Sequence, residues 1–271
     1  MKKILVVNNN SFVHNHTVDF AIRIAIDEKA TLFGLFLRSW ENSDEKDIRS
    51  DLGKFSGENN SEETTLDKNG DYEKTNIRSF VDKCSSSGVP YKIHIIQDNF
   101  LDSLIDHSAF ADLIVCDGER APSRYSITTL VAGAHCPVLL VNRDYRQPEH
   151  IVFAYDDNLS SSIHAIKIFT YLFRSLHHLP VHFISVVPQN VIGIQYEELI
   201  REWLPLYFPS AEILIVKGEP KEQLTNFINA YSNPLVIMGS FGRSSLSRFF
   251  KESLANSIIE KTNAPIFIAH D

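Results

Sequence analysis

The stretch Leu235-Val236-Ile237-Met238-Gly239-Ser240-Phe241-Gly242-Arg243, followed nine residues after Arg243 by Glu252-Ser253-Leu254, decides how the rest of the chain is read. Leu235 to Met238 is a short, wholly apolar run, the pattern of a strand buried on both faces. Gly239 ends it, and a glycine there lets another backbone or a ligand come close. Gly242 keeps the following turn open. Ser253 precedes Leu254, Ala255, Ile258 and Ile259, an apolar stripe at helical spacing, and serine is a good N-cap. A helix start with free N–H groups attracts anions. Strand, glycine turn and helix start together predict a backbone cradle for phosphate.

Working outward, apolar runs recur along the chain. Ile4 to Val7, Thr31 to Leu37, Tyr91 to Ile96, Leu113 to Cys116 and Pro137 to Val141 read as five strands. Helical patterns lie between them, through Val18, Ala21, Ile22 and Ala25, through Ile77, Phe80 and Val81, around Leu101, Leu104 and Ile105, and before His135. The scheme then repeats with Ile151 to Ala154, Val181 to Val187, Ile213 to Val216, Leu235 to Met238 and Ile266 to Ala269. The ends are the most alike: His135-Cys136-Pro137-Val138-Leu139-Leu140 beside Asn263-Ala264-Pro265-Ile266-Phe267-Ile268. Such self-similarity predicts a duplicated domain. Apolar strands alternating with helices predict α/β halves whose parallel sheets are covered on both faces. The expected domains are residues 1–146 and 147–271, with the boundary in the polar stretch Asn142 to Glu149.

The spacing G-x-x-G, nine residues, then G-[ST] resembles the nucleotide signature of the universal stress proteins, here at Gly239, Gly242 and Ser253. It departs from the signature at the third glycine, where Glu252 stands. The resemblance implies two doubly wound five-stranded parallel sheets of strand order 3-2-1-4-5. It also implies that the fifth strands of the two halves, Pro137–Val141 and Pro265–Ala269, lie side by side and antiparallel. A ligand then sits where the strand order reverses, between strands one and four. The resemblance places Asp156 on the adenine or ribose with Tyr155 beside it. Val186 lines the base pocket, Met238 and Arg243 border the same site, and the phosphates lie on Gly239, Gly242 and Ser253. The implied ligand is ATP or a related nucleotide, with or without Mg²⁺. The implied role is a regulatory stress-response protein rather than an enzyme, with any hydrolysis slow and incidental. A pairing of the two repeats within the chain is implied; a homodimer is left open.

The halves differ in what they keep. After Cys116 the first half reads Asp117-Gly118-Glu119-Arg120-Ala121-Pro122-Ser123, one glycine with two acids and a proline, a poor phosphate cradle. Asn9 occupies the position matching Asp156; it lacks the charge, and although it could bond a ribose it reads first as a residue that turns the chain after a strand. The nucleotide is therefore expected in the second half only. Asp156 also has an alternative reading, as a cap for a helix starting near Ser160. Glu252 sets a negative charge beside the expected phosphates. At an effective dielectric near 20, two unit charges about 4 Å apart repel by roughly 4 kcal/mol. A glutamate at a helix start is also favourable without any ligand.

The chain has 271 residues, 44% of them hydrophobic, enough for two cores of ordinary size. The net charge of −8 argues against a nucleic-acid partner. Most of it comes from residues 41–75, with eleven acids and five bases among Asn, Ser and Gly, which predict a solvated loop. No apolar run is long enough to cross a membrane, and the opening Met-Lys-Lys-Ile-Leu-Val-Val reads as a strand, so a cytoplasmic protein is expected. The three cysteines show no metal or disulfide spacing, and Cys116 reads as a small core residue. His14 and His16 lack supporting metal ligands, while His177 and His178 suit the end of a helix. Ser244, Ser245 and Ser247 read as turn and cap residues rather than nucleophiles. Two other function classes remain. One is an adaptor with a decayed nucleotide site that acts through protein contacts. The other is an ATP pyrophosphatase-like enzyme, which would need a Ser-Gly-Gly type loop where the chain has Asn8-Asn9-Asn10-Ser11 and Asp156-Asp157-Asn158.

Overall fold

The structure, a computed structural model, describes residues 2–8, 15–37, 68–96, 99–118, 127–142, 146–239, 258 and 261–269. The first half runs β1 (Lys3–Asn8), α1 (Asn15–Glu28), β2 (Thr31–Leu37), α2 (Lys68–Ser86), β3 (Tyr91–Ile96), α3 (Phe100–Ser108), β4 (Leu113–Asp117), α4 (Ile127–Gly133) and β5 (Val138–Val141). The second half opens with β6 (His150–Tyr155). A π-helical turn at Leu159–Ile163 runs into α5 (His164–Leu172), and a 3₁₀ turn at Arg174–Leu176 leads to β7 (Val181–Val187). Then come α6 (Glu197–Trp203), a 3₁₀ turn at Leu204–Leu206, β8 (Glu212–Lys217), α7 (Pro220–Asn229), β9 (Pro234–Gly239) and β10 (Ile266–Ala269).

The ten strands among the described residues form one sheet, in the order β3-β2-β1-β4-β5-β10-β9-β6-β7-β8. Counted from its own outer edge, each half has the order 3-2-1-4-5. The ladders within each half are parallel. The halves meet at an antiparallel seam, where Ile266 lies opposite Leu140, Phe267 opposite Leu139 and Ile268 opposite Val138. The fifth strands thus sit side by side as expected, and two five-stranded sheets become one of ten.

Strand pleating explains why the inner strands are almost wholly apolar. Successive side chains point to opposite faces, and both faces are covered. In β1, Ile4 and Val6 join one core while Leu5 and Val7 join the other. The seam shows the same alternation: Leu139, Val141 and Phe267 lie on one face, Val138, Leu140 and Ile266 on the other. Both cores therefore continue across the junction. Phe267 packs edge-on to Phe169 and Phe173, with ring centroids 5.5 and 5.7 Å away. Polar ties reinforce the join. The hydroxyl of Ser175 donates to Glu28 Oε1 at 2.8 Å, and buried Asn142 Nδ2 donates to the carbonyl of Thr262 at 3.2 Å.

The loop expected over residues 41–75 is corrected at its end. Residues 68–75 belong to α2, and residues 41–67 lie outside the described residues. Ile77, Phe80, Val81 and Cys84 anchor that helix in the core. Once nucleated there, it extends backward through polar sequence, because each further residue adds a hydrogen bond at low cost. His177 and His178 follow the 3₁₀ turn after α5 rather than the helix itself, and each ring contacts a carbonyl oxygen, of Thr170 and Ser175 respectively, at 2.8 Å. Cys84 and Cys116 are buried, and burial pushes the Cys84 thiol up to about 12. Among the described residues, no helix is long and apolar enough to cross a membrane, and no three potential ligands gather around a metal position.

Candidate nucleotide site

A cleft of about 370 Å³ opens at the carboxyl ends of β6, β7 and β9, with the first turn of α7 as its far wall. Its position follows from the topology: β6 and β9 are the first and fourth strands of their half, and the crossovers leave in opposite directions there. Ala154, Ile184, Val186, Met238 and Leu224 give it an apolar lining. Asp156, Asp157, Asn158, Ser162 and Ser185 supply the polar groups. Known ligand pockets run from about 300 to 1,000 Å³ and share this division of labour.

The polar rim is held in place by its own bonds. Asp157 has a left-handed backbone, φ 58°, which turns the chain sharply after β6. Its carboxylate accepts from the N–H of Gln195 at 3.1 Å. Asn158 caps the Leu159–Ile163 turn, its side-chain oxygen accepting from Ser161 N at 3.2 Å. The cap expected at Asp156 is thus supplied by Asn158, because the turn at Asp157 carries the chain onward before the helix begins. Asp156 instead accepts a hydrogen bond from the hydroxyl of Ser162.

Of the residues expected in the site, Tyr155, Asp156, Val186, Met238 and Gly239 all line this one cleft. Gly242, Arg243, Ser253 and Glu252 lie outside the described residues, as do Asn9, His14, Ser244, Ser245 and Ser247. Tyr155 turns its ring to the other face of the sheet, where it packs 5.2 Å from Phe183. Its hydroxyl donates to the carbonyl of Gln195 at 3.1 Å. Burial, with Asp157 and Asp156 nearby, pushes this phenol up to about 12, so it remains a donor.

Gly239 has a packing reason that its sequence context did not reveal. A Cβ at that position would lie 2.4 Å from the carbonyl carbon of Ser161 and 2.6 Å from Ser162 N. The absent side chain lets the turn after β6 close over the end of β9, which brings Asp156 and Gly239 to the same cleft. Sequence reading also missed Ile184, Ser162, Pro188, Pro220 and Leu224. Glu219-Pro220-Lys221-Glu222 does carry a helix-start signal, with Pro at N1. Glu219 accepts from Glu222 N at 2.8 Å. That signal locates the start of α7 along the chain and not its place beside β6.

None of the described lining residues is basic, and two are carboxylates. Ionised carboxylates only accept hydrogen bonds, so this part of the site favours hydroxyl or amine donors over phosphate. An apolar slot edged by acceptors is suited to a nucleoside.

Residues 148–270 match the model of the universal stress protein family. Among solved structures, a universal stress protein from Archaeoglobus fulgidus matches with a TM-score of 0.67 at 14% identity, over 99% of this chain and 98% of that one. A functionally unknown protein from Pseudomonas aeruginosa PAO1 gives 0.65 at 15% identity, over 99% and 92%. A putative universal stress protein from P. aeruginosa UCBPP-PA14 gives 0.62 at 14%, over 99% and 92%. No curated protein matches the chain by sequence. At these identities the structural matches speak for the fold, which they share from end to end, and the sequence match speaks for the second half: residues 148–270 are a domain of the universal stress protein family.

Proposed function

We propose that the protein is a tandem regulatory stress protein that binds ATP or a related nucleotide in its second half, with units at 1–146 and 147–271. The carrying observation is the convergence of Asp156, from the end of β6, and Gly239, from the end of β9, on one cleft with an apolar lining. The base lies on Val186, Met238, Ile184 and Leu224. The carboxylate of Asp156 accepts from ribose hydroxyls. The phosphates follow the chain onward from Gly239 to Gly242, Arg243 and Ser253. The match of the family model to the second half supports this asymmetry. The role is binding rather than catalysis, in the cytoplasm. The two repeats pair with each other through the seam.

The test is mass spectrometry of small molecules released from freshly purified protein, followed by calorimetry with ATP and Mg²⁺. An adenine nucleotide released in proportion to protein, or ATP binding with one site per chain, supports the reading. An empty protein that takes up no ATP at millimolar concentration refutes it. Glu252 favours a second reading, an adaptor whose nucleotide site has decayed, and the same null result would support that reading.

A further inference from the structure

The chain between β7 and α6 makes a span along the rim of the cleft. It starts at Pro188, which lines the cleft, and ends at Gln195, whose N–H is bound to Asp157 and whose carbonyl is bound to Tyr155. Lys217 Nζ donates to the carbonyl of Gln189 at 3.1 Å and holds the first foot. The first foot is therefore fixed beside the cleft, and the second is tied both to Asp157 on the cleft rim and to the Tyr155 hydroxyl on the opposite face of the sheet. Only the apex is open: Val191 N–H is bound to the carbonyl of Pro188 at 3.0 Å and Ile194 packs against the core, while Ile192 is 96% exposed. Gly193 follows with φ 77°, and Tyr196 has φ 60°, so left-handed residues break the span just after the apex. An isoleucine left almost wholly in water gains by finding an apolar surface, and side chains of its size gain most when fully covered.

We infer that residues 189–193 form a strap that closes over the nucleoside end of a ligand in the cleft, with Ile192 as the side chain that covers the base. The two feet bound its reach. Ile192 is four residues from Pro188 and three from Gln195, so the extended chain spans at most about 14 Å and about 10 Å from the two feet. The apolar walls from Ile184, Val186 and Leu224 would hold one part of the base, and Ile192 would remove the rest from water. The anchor at Asp157 sits next to Asp156, so ligand contact at one carboxylate is passed to the strap through one peptide unit. This rests on the nucleotide reading above.

The test combines hydrogen exchange with binding kinetics on the full chain, with ATP as the probe. ATP should slow exchange over residues 189–196 together with the ends of β6 and β9. Ile192→Ser removes a side chain that touches little in the free protein, so folding should be unchanged. It should weaken ATP binding about five- to tenfold through faster release, measured by displacement of a fluorescent ATP analogue. Ile26→Ser, on α1 of the other half, should bind as the native chain does. If ATP protects the strand ends while residues 189–196 exchange as before and Ile192→Ser binds normally, the strap is wrong and the nucleotide reading stands. If the native chain binds no ATP, both are wrong.

Discussion

Gly239→Ala is the sharpest probe of how the site is built. The added methyl would lie 2.4 Å from Ser161 C and 2.6 Å from Ser162 N, about 1 Å short of ordinary contact at 3.4 Å. Both neighbours are backbone atoms in a turn capped by Asn158, so no side-chain rotation relieves the clash. Either the turn lifts from β9 or the end of β9 bends. Overpacking of this kind costs about 1–3 kcal/mol. For a chain of this size that corresponds to a melting temperature roughly 2–10 °C lower. The measurement is urea and thermal unfolding followed by circular dichroism without nucleotide, then calorimetry with ATP. Loss of stability in the unliganded protein is the expected result, accompanied by weaker binding because Asp156 and Ser162 move with the turn. If Gly239 served only a bound phosphate, the unliganded protein would be as stable as the native one. Unchanged unfolding would therefore refute the close approach of the Ser161–Ser162 backbone.

Other outcomes follow from the same geometry. Asp156→Ala should weaken ATP binding about ten- to a hundredfold, the worth of a hydrogen bond to a charged group, while Asn9→Ala leaves it unchanged; equal losses in calorimetry would refute the asymmetry of the halves. Glu252→Gly should tighten ATP binding by removing repulsion, and should lower unliganded stability by about 1 kcal/mol through backbone entropy and the helix dipole. Melting with and without ATP and Mg²⁺ separates the two effects, and unchanged or weaker binding would overturn that account of Glu252. His94 and His182 are both held below the ordinary imidazole range of 6.5, chiefly by burial. His107, Lys3 and Lys92 add to the effect at His94; His150 adds to it at His182, against an opposing pull from Glu212. The unfolded chain thus binds more protons, so this contribution to stability is present above pH 6.5 and is lost as pH falls below it. His182→Phe, the residue type at the matching position Phe33, should flatten the loss between pH 7.5 and pH 5.5; an unchanged urea-midpoint profile would count against it.

Much of the architecture was legible because its signals are local. The runs Thr31–Leu37, Tyr91–Ile96 and Val181–Val187 are strands from end to end: the inner strand Val181–Val187 is buried at nearly every position and so is mostly apolar, while Tyr91–Ile96, at the sheet's edge, keeps Lys92 exposed. The paired ends around Pro137 and Pro265 marked the repeat and, through the family resemblance, the antiparallel seam. Tyr155, Asp156, Val186, Met238 and Gly239 could be gathered from the resemblance because topology alone brings the ends of the first, second and fourth strands together. Other features depended on neighbours distant along the chain. Lys68 to Thr75 reads as loop by composition and is helix because the rest of α2 is anchored in a core. The cap went to Asn158 because Asp157 takes a left-handed turn, which no periodicity announces. Whether Gly239 faces a ligand or the backbone of Ser161, and whether Gln195 fastens to Asp157, depends on which segments meet when the sheet closes. Periodicity and composition record how each residue divides between core and water; only the folded chain decides which distant atoms come within 3 Å of each other.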